Sequence, residues 1–592
     1  MLTALAIWSI AADPADAQRG PAGPEPATGR SEQTVGKATR YMVAAANPLA
    51  VDAGLEILDA GGSAVDAAIA VQAVLGLVEP QSSGLGGGAF LLHWDQASKA
   101  LKTYDGRETA PIAARSDRFV PDGKQIGFDT AVFSGLSIGV PGVVRLMEAA
   151  HRQHGKRPWL QLFEPAIRLA ENGFIVSPRL AGLLAQDRPN RFTPAARRTF
   201  YDESGKPRPK GHRLVNRDYA ATLRLLAADG PAAFYTGPIA DRIVEAARLA
   251  PNYSSDLTHA DLAGYRVIER EPVCVPYRTF KVCGMGPPSS GGIAVAQVLK
   301  LIEPLSIGAA PRDALAPASM HAIAEAEKLA FADRDHFVAD PDVIAVPTGL
   351  LDAGYLAERR SKISLERAMS RPAPGAPPAR LGIAPTFGDD ATLELSGTSH
   401  ISIVDAAGNA VSMTTTIENA FGSRVMAAGF LLNNQLTDFS MRPTDASGRP
   451  IANAVGPGKR PRSSMAPTMV FDTDGRLRMI LGSPGGSRII LYVVKTLVAL
   501  IDWKLDAQAA AALMNFGSRG GGFEIEDDSG TFFSWQHLTA QSEATARAIW
   551  MRGRGHSVAF VDMTSGTQVI VVGETGITGG ADPRREGAAR GR

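Results

Sequence analysis

The sequence predicts an α+β protein built in layers, from three observations. Leu49–Ala60 and Ala64–Leu77 have helical spacing. The second segment is apolar almost all round, which suits a helix buried within a stack of layers. Two pairs of segments around a turn, Ala89–Trp94 with Ala100–Tyr104 and Thr398–Asp405 with Ala410–Ile417, read as strand pairs, the second with a clear switch to period two. Pro141 to Phe337 is dominated by helical patterns, including Val143–Gln153, Trp159–Asn172, Tyr219–Ala228 and Ile239–Ala250, and carries few polar clusters suggestive of chemistry.

Taken in order, Met1 to Ile10 are mostly apolar, and Ala15-Asp16-Ala17 before Gln18 is an A-x-A cleavage pattern. Residues 1–17 therefore read as an export signal. A plain tail is the alternative, because no basic stretch precedes the apolar run. A Pro/Gly/Ala-rich tail follows over 18–35. Gly61-Gly62 is a natural helix stop, and Ser63-x-x-Asp66 caps the next helix. The glycine loop Gly84–Gly88 leads into the first hairpin, with Arg107 just past its second strand. Cys274 and Cys283 lie on Pro272–Tyr277 and Phe280–Cys283. A two-residue turn at Arg278-Thr279 would set them opposite each other, as a disulfide or as two buried thiols. Residues 371–390 are rich in Pro, Ala and Gly and read as an exposed, mobile linker.

Composition narrows the function. The 592 residues are 45% hydrophobic and 20% charged, ordinary values for a globular chain. With 61 basic against 60 acidic residues the formal charge is +1, so no net field would gather the chain on nucleic acid or an anionic membrane. No uninterrupted apolar run reaches the ~18 residues of a spanning helix, so no membrane span is expected. Two cysteines exclude a disulfide framework and a Cys-rich zinc module. Gly135-Leu-Ser137-Ile-Gly139 matches the G-x-S-x-G nucleophile elbow, but Pro141-Gly142 intervenes where the elbow's helix should begin. Gly84–Gly88 lacks the Lys-Ser/Thr of a phosphate loop, and no H-E-x-x-H occurs. No metal and no cofactor are expected.

The region from 398 to 488 is denser. Thr398 opens a strand, Thr414-Thr415-Thr416-Ile417-Glu418 closes its partner, and Asn433-Asn434-Gln435-x-x-Asp438, Lys459 to Ser464 and Gly482 to Gly486 follow. Hydroxyls, carboxylates, an amide and a backbone-donor loop fit one site on adjacent strands. From about residue 36 onward the chain resembles the gamma-glutamyltransferase family. The resemblance is carried by Gly61–Asp66, Ser83–Gly88, Asp105–Pro111, Gly139–Gly142, Pro287–Gly292, Thr398-Ser399-His400, Leu432–Ser440, Arg460–Met465, Gly482–Arg488 and Ala581–Gly587.

That resemblance implies an N-terminal nucleophile hydrolase. Its fold would be a four-layer αββα sandwich, made as a precursor and cut by its own threonine between Gly397 and Thr398 into a large subunit, 36–397, and a small subunit, 398–592. It implies that Thr416 orients Thr398 and that Arg107, Ser463 and Ser464 clamp a substrate α-carboxylate. Glu418, Gln435 and Asp438 would hold the α-ammonium, and the Gly485 and Gly486 N–H groups would form an oxyanion hole. His400 reads as structural support. The implied partners are the two subunits and a small gamma-glutamyl compound such as glutathione; the expected location, periplasmic or secreted, rests on the export signal over residues 1–17. Two departures qualify the substrate. Phe439–Ala452 is short and has no Tyr or Trp to gate the pocket, which suggests an open pocket and makes a glutaryl or cephalosporin acylase the alternative. Glu418 stands where some relatives carry Asn, which favours an amino-acid donor. An uncut binding protein on the same scaffold is the third reading.

Overall fold

A computed structural model describes residues 33–378, 386–527 and 535–592. The expected export signal, most of the tail and the middle of the linker lie outside them.

Two seven-stranded sheets organise the molecule. The first runs, edge to edge, Ala588–Gly591, Met42–Ala45, Gly397–Val404, Ala410–Glu418, Gly88–Asp95, Ala100–Gly106 and Ile268–Arg270. The second runs Gly36–Ala38, Ile577–Ala581, Gln568–Val572, Leu477–Gly482, Thr468–Asp472, Phe280–Gly284 and Val273–Tyr277. Both are antiparallel throughout.

Strand alternation builds the layers, because successive side chains point to opposite faces. Val43, Ala45, Leu91, Ile401, Ile403, Val411 and Met413 join one apolar core with the helices Pro48–Asp59 and Ala64–Val78. Met42, Ala44, Phe90, Leu92 and Val404 face the second sheet and join the core under the helices Gly291–Ile302, Pro317–Phe337 and Ile489–Ile501. The order is helices, sheet, sheet, helices, the expected four layers. The Ala64–Val78 helix is buried at every position, as its all-round apolarity requires.

Local signals act where the sequence places them. The Ser63 side chain accepts from the Asp66 N–H at 3.2 Å while the Ser63 N–H donates to Asp66 at 2.9 Å, a closed capping box. Gly61, at φ +83°, and Gly62 donate to the Leu58 and Ile57 carbonyls and end the preceding helix. Trp159–Asn172 is not one helix: it is a 3₁₀ turn over Trp159–Phe163 followed by an α-helix over Glu164–Asn172, with Pro165 in its first turn. Cys274 pairs with Cys283 in the register that Tyr277 opposite Phe280 dictates, and the two form a disulfide.

The described flanks of the linker carry tertiary contacts that its composition does not announce. The Gly375 N–H donates to Asp333 at 2.9 Å, the Gly388 N–H to the Pro450 carbonyl at 2.8 Å, and Asp390 pairs with Arg462 at 2.8 Å. No helix among the described residues is long and apolar enough to cross a membrane.

Candidate active site

The Gly397–Val404 strand turns an unusually polar face towards the second sheet. His400 lies in hydrogen-bonding contact with Thr414 at 2.8 Å and Ser402 at 3.1 Å, and Ser402 and Ser412 donate to the Gln568 and Leu481 carbonyls of the second sheet. Burial pushes the His400 pKa down to about 3, and its ring fills the space beside Gly482, where a Cβ would stand 2.3 Å from it. His400 is therefore a neutral packing element within the sandwich, and none of its described contacts is with Thr398.

Thr398 and Thr416 end this polar row, opposite each other across the strand pair. The register breaks between Gly397 and Thr398, and Gly397 sits against Glu418, whose φ is +79°. A Cβ at Gly397 would come within 2.4 Å of the Asn419 carbonyl oxygen, so only glycine fits before Thr398. The Thr416 hydroxyl donates to the Gly397 carbonyl at 2.7 Å. It accepts from the Glu418 N–H at 2.9 Å and from the Thr398 hydroxyl at 3.1 Å. One side chain thus contacts both the Thr398 hydroxyl and the carbonyl preceding it, and the Glu418 backbone fixes its orientation.

Around this pair lie Arg107, Glu394, Leu395, Glu418, Gln435, Asp438, Ser463, Ser464 and Gly486. All six expected binding residues are therefore brought together. The buried Arg107 pairs with Asp438 at 2.5 Å and donates to the Pro461 and Arg462 carbonyls. Gln435 donates to the same Asp438 carboxylate at 2.7 Å. Burial pushes the Asp438 pKa up to about 6 against the pull of Arg107. Glu418 is displaced well above the carboxylate range, first by burial and then by Asp438. Two carboxyl groups share one dry pocket, so a cation entering between them would favour both ionised forms.

The expected open pocket is not found in the uncut chain. The cavity has a volume of about 20 Å³, room for roughly one water. Glu394 and Leu395 are among the residues that line it, and none of residues 439–452 is. Leu395 donates to Glu418 at 2.8 Å, and a Cβ at Gly486 would stand 2.6 Å from both the Glu394 and Leu395 carbonyl oxygens. Gly485, at φ +143°, packs equally closely under the Tyr492 ring.

Sequence reasoning missed three features. Arg334, in the helical middle that showed no chemistry, reaches Ser464 and Glu394 and is backed by Ser290. Glu108 is fully buried, with neither carboxylate oxygen in a hydrogen bond, and burial raises its pKa to about 8. It is therefore largely neutral at pH 7, and the charge of Arg107 acts on Asp438. His321, Glu325 and His556 cluster closely enough to hold a cation. However, His321 contacts His556 and the Ser364 carbonyl, and Lys328 donates to Glu325 at 2.7 Å, so an ammonium already neutralises that carboxylate. Spacing within one helix, His321-x-x-x-Glu325, was the available signal; His556 carried none. Ser137 donates to the Val132 and Ser134 carbonyls and is fully buried, which makes it a turn residue.

Comparison with known proteins gives the chain's relatives. Residues 50–592 match the profile of the gamma-glutamyltranspeptidase family. The glutathione hydrolase proenzyme of Escherichia coli K12 is 36% identical over 563 residues, 93% of this chain and 91% of that protein. The acylase ACY 1 proenzyme of Pseudomonas sp. V22 is 35% identical over 534 residues, covering 88% and 90%. The crystal structure of the cephalosporin acylase of Bacillus halodurans superposes with a TM-score of 0.79 at 27% identity, covering 95% of this chain and 97% of that one.

Proposed function

Since the chain belongs to the gamma-glutamyltranspeptidase family, we propose that it is a self-processing glutathione hydrolase and gamma-glutamyltransferase with Thr398 as its nucleophile. The observation that carries this reading is the Thr416 hydroxyl, which lies between Thr398 Oγ1 and the Gly397 carbonyl oxygen. In the precursor Thr398 Oγ1 attacks the Gly397 carbonyl carbon while Thr416 stabilises the charge that develops on the oxygen. The Gly397–Thr398 C–N bond breaks, and the hydroxyl proton passes to the departing nitrogen. Water then hydrolyses the resulting ester to a Gly397 carboxylate and a free Thr398. The liberated α-amine, of ordinary pKa near ~8, serves as base for its own hydroxyl.

In the processed protein Thr398 attacks the γ-carbonyl of the donor and forms a gamma-glutamyl ester. The amine of the leaving group departs with a proton, and water or an amino acid releases the acyl group. Arg107, Ser463 and Ser464 bind the donor α-carboxylate, since a guanidinium and hydroxyls suit its two oxygens. Glu418, Gln435 and Asp438 receive the α-ammonium, and the Gly485 and Gly486 N–H groups face the oxyanion. Export to the periplasm or medium fits the disulfide.

An acylase reading has support in the ACY 1 and cephalosporin acylase relatives. The paired carboxyls of Asp438 and Glu418 favour the gamma-glutamyl reading over it, because a glutaryl donor has no ammonium to place between them. Comparing hydrolysis of gamma-glutamyl-p-nitroanilide and glutaryl-p-nitroanilide tests this. The proposal expects kcat/KM for the first to be larger by at least about 100-fold; equal values, or a preference for the glutaryl compound, would make the protein an acylase.

A further inference from the structure

The segment entering the cleavage site is held by a carboxylate that no part of the substrate chemistry uses. Glu394 lies four residues before Thr398, and its side chain is buried. Its carboxylate pairs with Arg334, accepts from the Ser464 hydroxyl at 2.5 Å and has the Arg462 guanidinium at 3.8 Å. The seat is rigid. Arg334 projects from the Pro317–Phe337 helix and donates to Ser290 at 2.9 Å, to Ser464 at 2.7 Å and to Asp335 at 2.6 Å. Burial raises the Glu394 pKa, but the two arginines outweigh it and hold the carboxyl below its ordinary range. Leu395 donates to Glu418, the Ser396 carbonyl accepts from the Thr398 N–H at 3.1 Å, and the Gly397 carbonyl accepts from Thr416, so every residue from the anchor to the scissile bond is held.

We propose that Glu394 is a positioning residue for self-cleavage: its ion pair with Arg334 and Ser464 pins the precursor segment so that the Gly397 carbonyl lies on the Thr416 hydroxyl. The inference rests on the proposed maturation at Thr398. Four consecutive holds, at Glu394, Leu395, Ser396 and Gly397, fix the backbone that a flexible linker would otherwise leave free, which is the positional gain that brings a reacting carbonyl against its nucleophile. Glu394 itself touches neither reacting atom. Cleavage also supplies the reason for release. The new Gly397 carboxylate would form beside Glu418 in a pocket where Asp438 and Glu394 already occupy Arg107 and Arg334, and a further buried anion without a cation of its own is disfavoured. The seat of Glu394, a buried guanidinium and a hydroxyl, is an anion site while the segment is absent from it.

The test follows appearance of the 398–592 fragment by denaturing electrophoresis during cell-free synthesis of wild type, Glu394→Ala and Glu394→Gln. The alanine variant is expected to cut at least tenfold more slowly than wild type, and the glutamine variant at least threefold more slowly. Sodium acetate, with sodium chloride at equal ionic strength as control, is expected to raise the alanine variant's rate at least threefold and leave wild type unchanged, because a small carboxylate can occupy the vacated seat. A merely structural loss would not respond to acetate. Cleavage of Glu394→Ala within twofold of wild type, a Glu394→Gln rate equal to wild type, or a slow alanine variant insensitive to acetate would each overturn the latch while leaving maturation intact. A wild-type chain that stays whole would instead overturn the maturation reading, and the latch with it.

Discussion

The residue whose chemistry is most constrained is Thr416, because its single proton is committed. It accepts two hydrogen bonds and donates its own to the Gly397 oxygen. Thr416→Ala should therefore slow fragment formation by about 100-fold, the loss of one donor to a developing oxyanion, whereas Thr416→Ser should retain most of the rate; a time course on gels measures both. The ammonium site gives a second expectation. Asp438 has its pKa raised to about 6, so its carboxylate is present above that pH and lost below it. Holding an ammonium needs the carboxylate. For a gamma-glutamyl donor kcat/KM should fall more steeply as pH drops through about 6 than protonation of the Thr398 amine alone makes it, and Asp438→Asn should remove that extra limb along with most of the activity. The limb should be missing for a donor without an α-amino group.

At the scale of single elements, the helix caps and the spacing between sheets are where small changes register. Ser63→Ala should cost about 1 kcal/mol, the usual value for a side-chain cap, read as a lower Tm with unchanged cleavage. Gly482→Ala places a methyl group against the His400 ring between the sheets. It should destabilise by about 1–3 kcal/mol, as overpacking does. These elements were legible because their signals are local. Ser63-x-x-Asp66, Gly61-Gly62 and the two-residue turn between the cysteine strands each specify their own geometry, and the strand pair at Thr398 was readable from period two. The split of Trp159–Asn172 was not, since Leu160, Leu162 and Phe163 continue the apolar spacing through the 3₁₀ turn. The site residues were named by resemblance. Their identities are ordinary residue types, and only the pairing of Arg107 with Asp438, 331 positions apart, gives them meaning. Arg334 and Glu394 escaped for the same reason: each looks like a surface charge in sequence, and burial is what makes them significant.

Across the whole molecule, the position of Thr398 in the sheet order has a mechanical consequence. A cut before it would leave residues 398–404 and 410–418 flanked by 42–45 on one side and 88–95 on the other, while 588–591 covers the far edge of 42–45. In the second sheet, strands from 468 to 581 lie between 36–38 and 280–284. The two pieces interleave in both sheets, so they cannot part without breaking strand pairs and opening both cores. They should co-elute as one particle in native size-exclusion chromatography and separate only in denaturant. Strand order of this kind is set by contacts hundreds of residues apart, which is why neither sheet could be assembled from the sequence.

The most direct measurement is the intact mass of purified wild type and Thr398→Ala, with N-terminal sequencing of any small fragment. Self-cleavage by Thr398 predicts a wild-type fragment that begins Thr398-Ser399-His400 and a variant that remains one chain. A wild-type protein that stays whole, or a Thr398→Ala variant cut at the same bond, would contradict it.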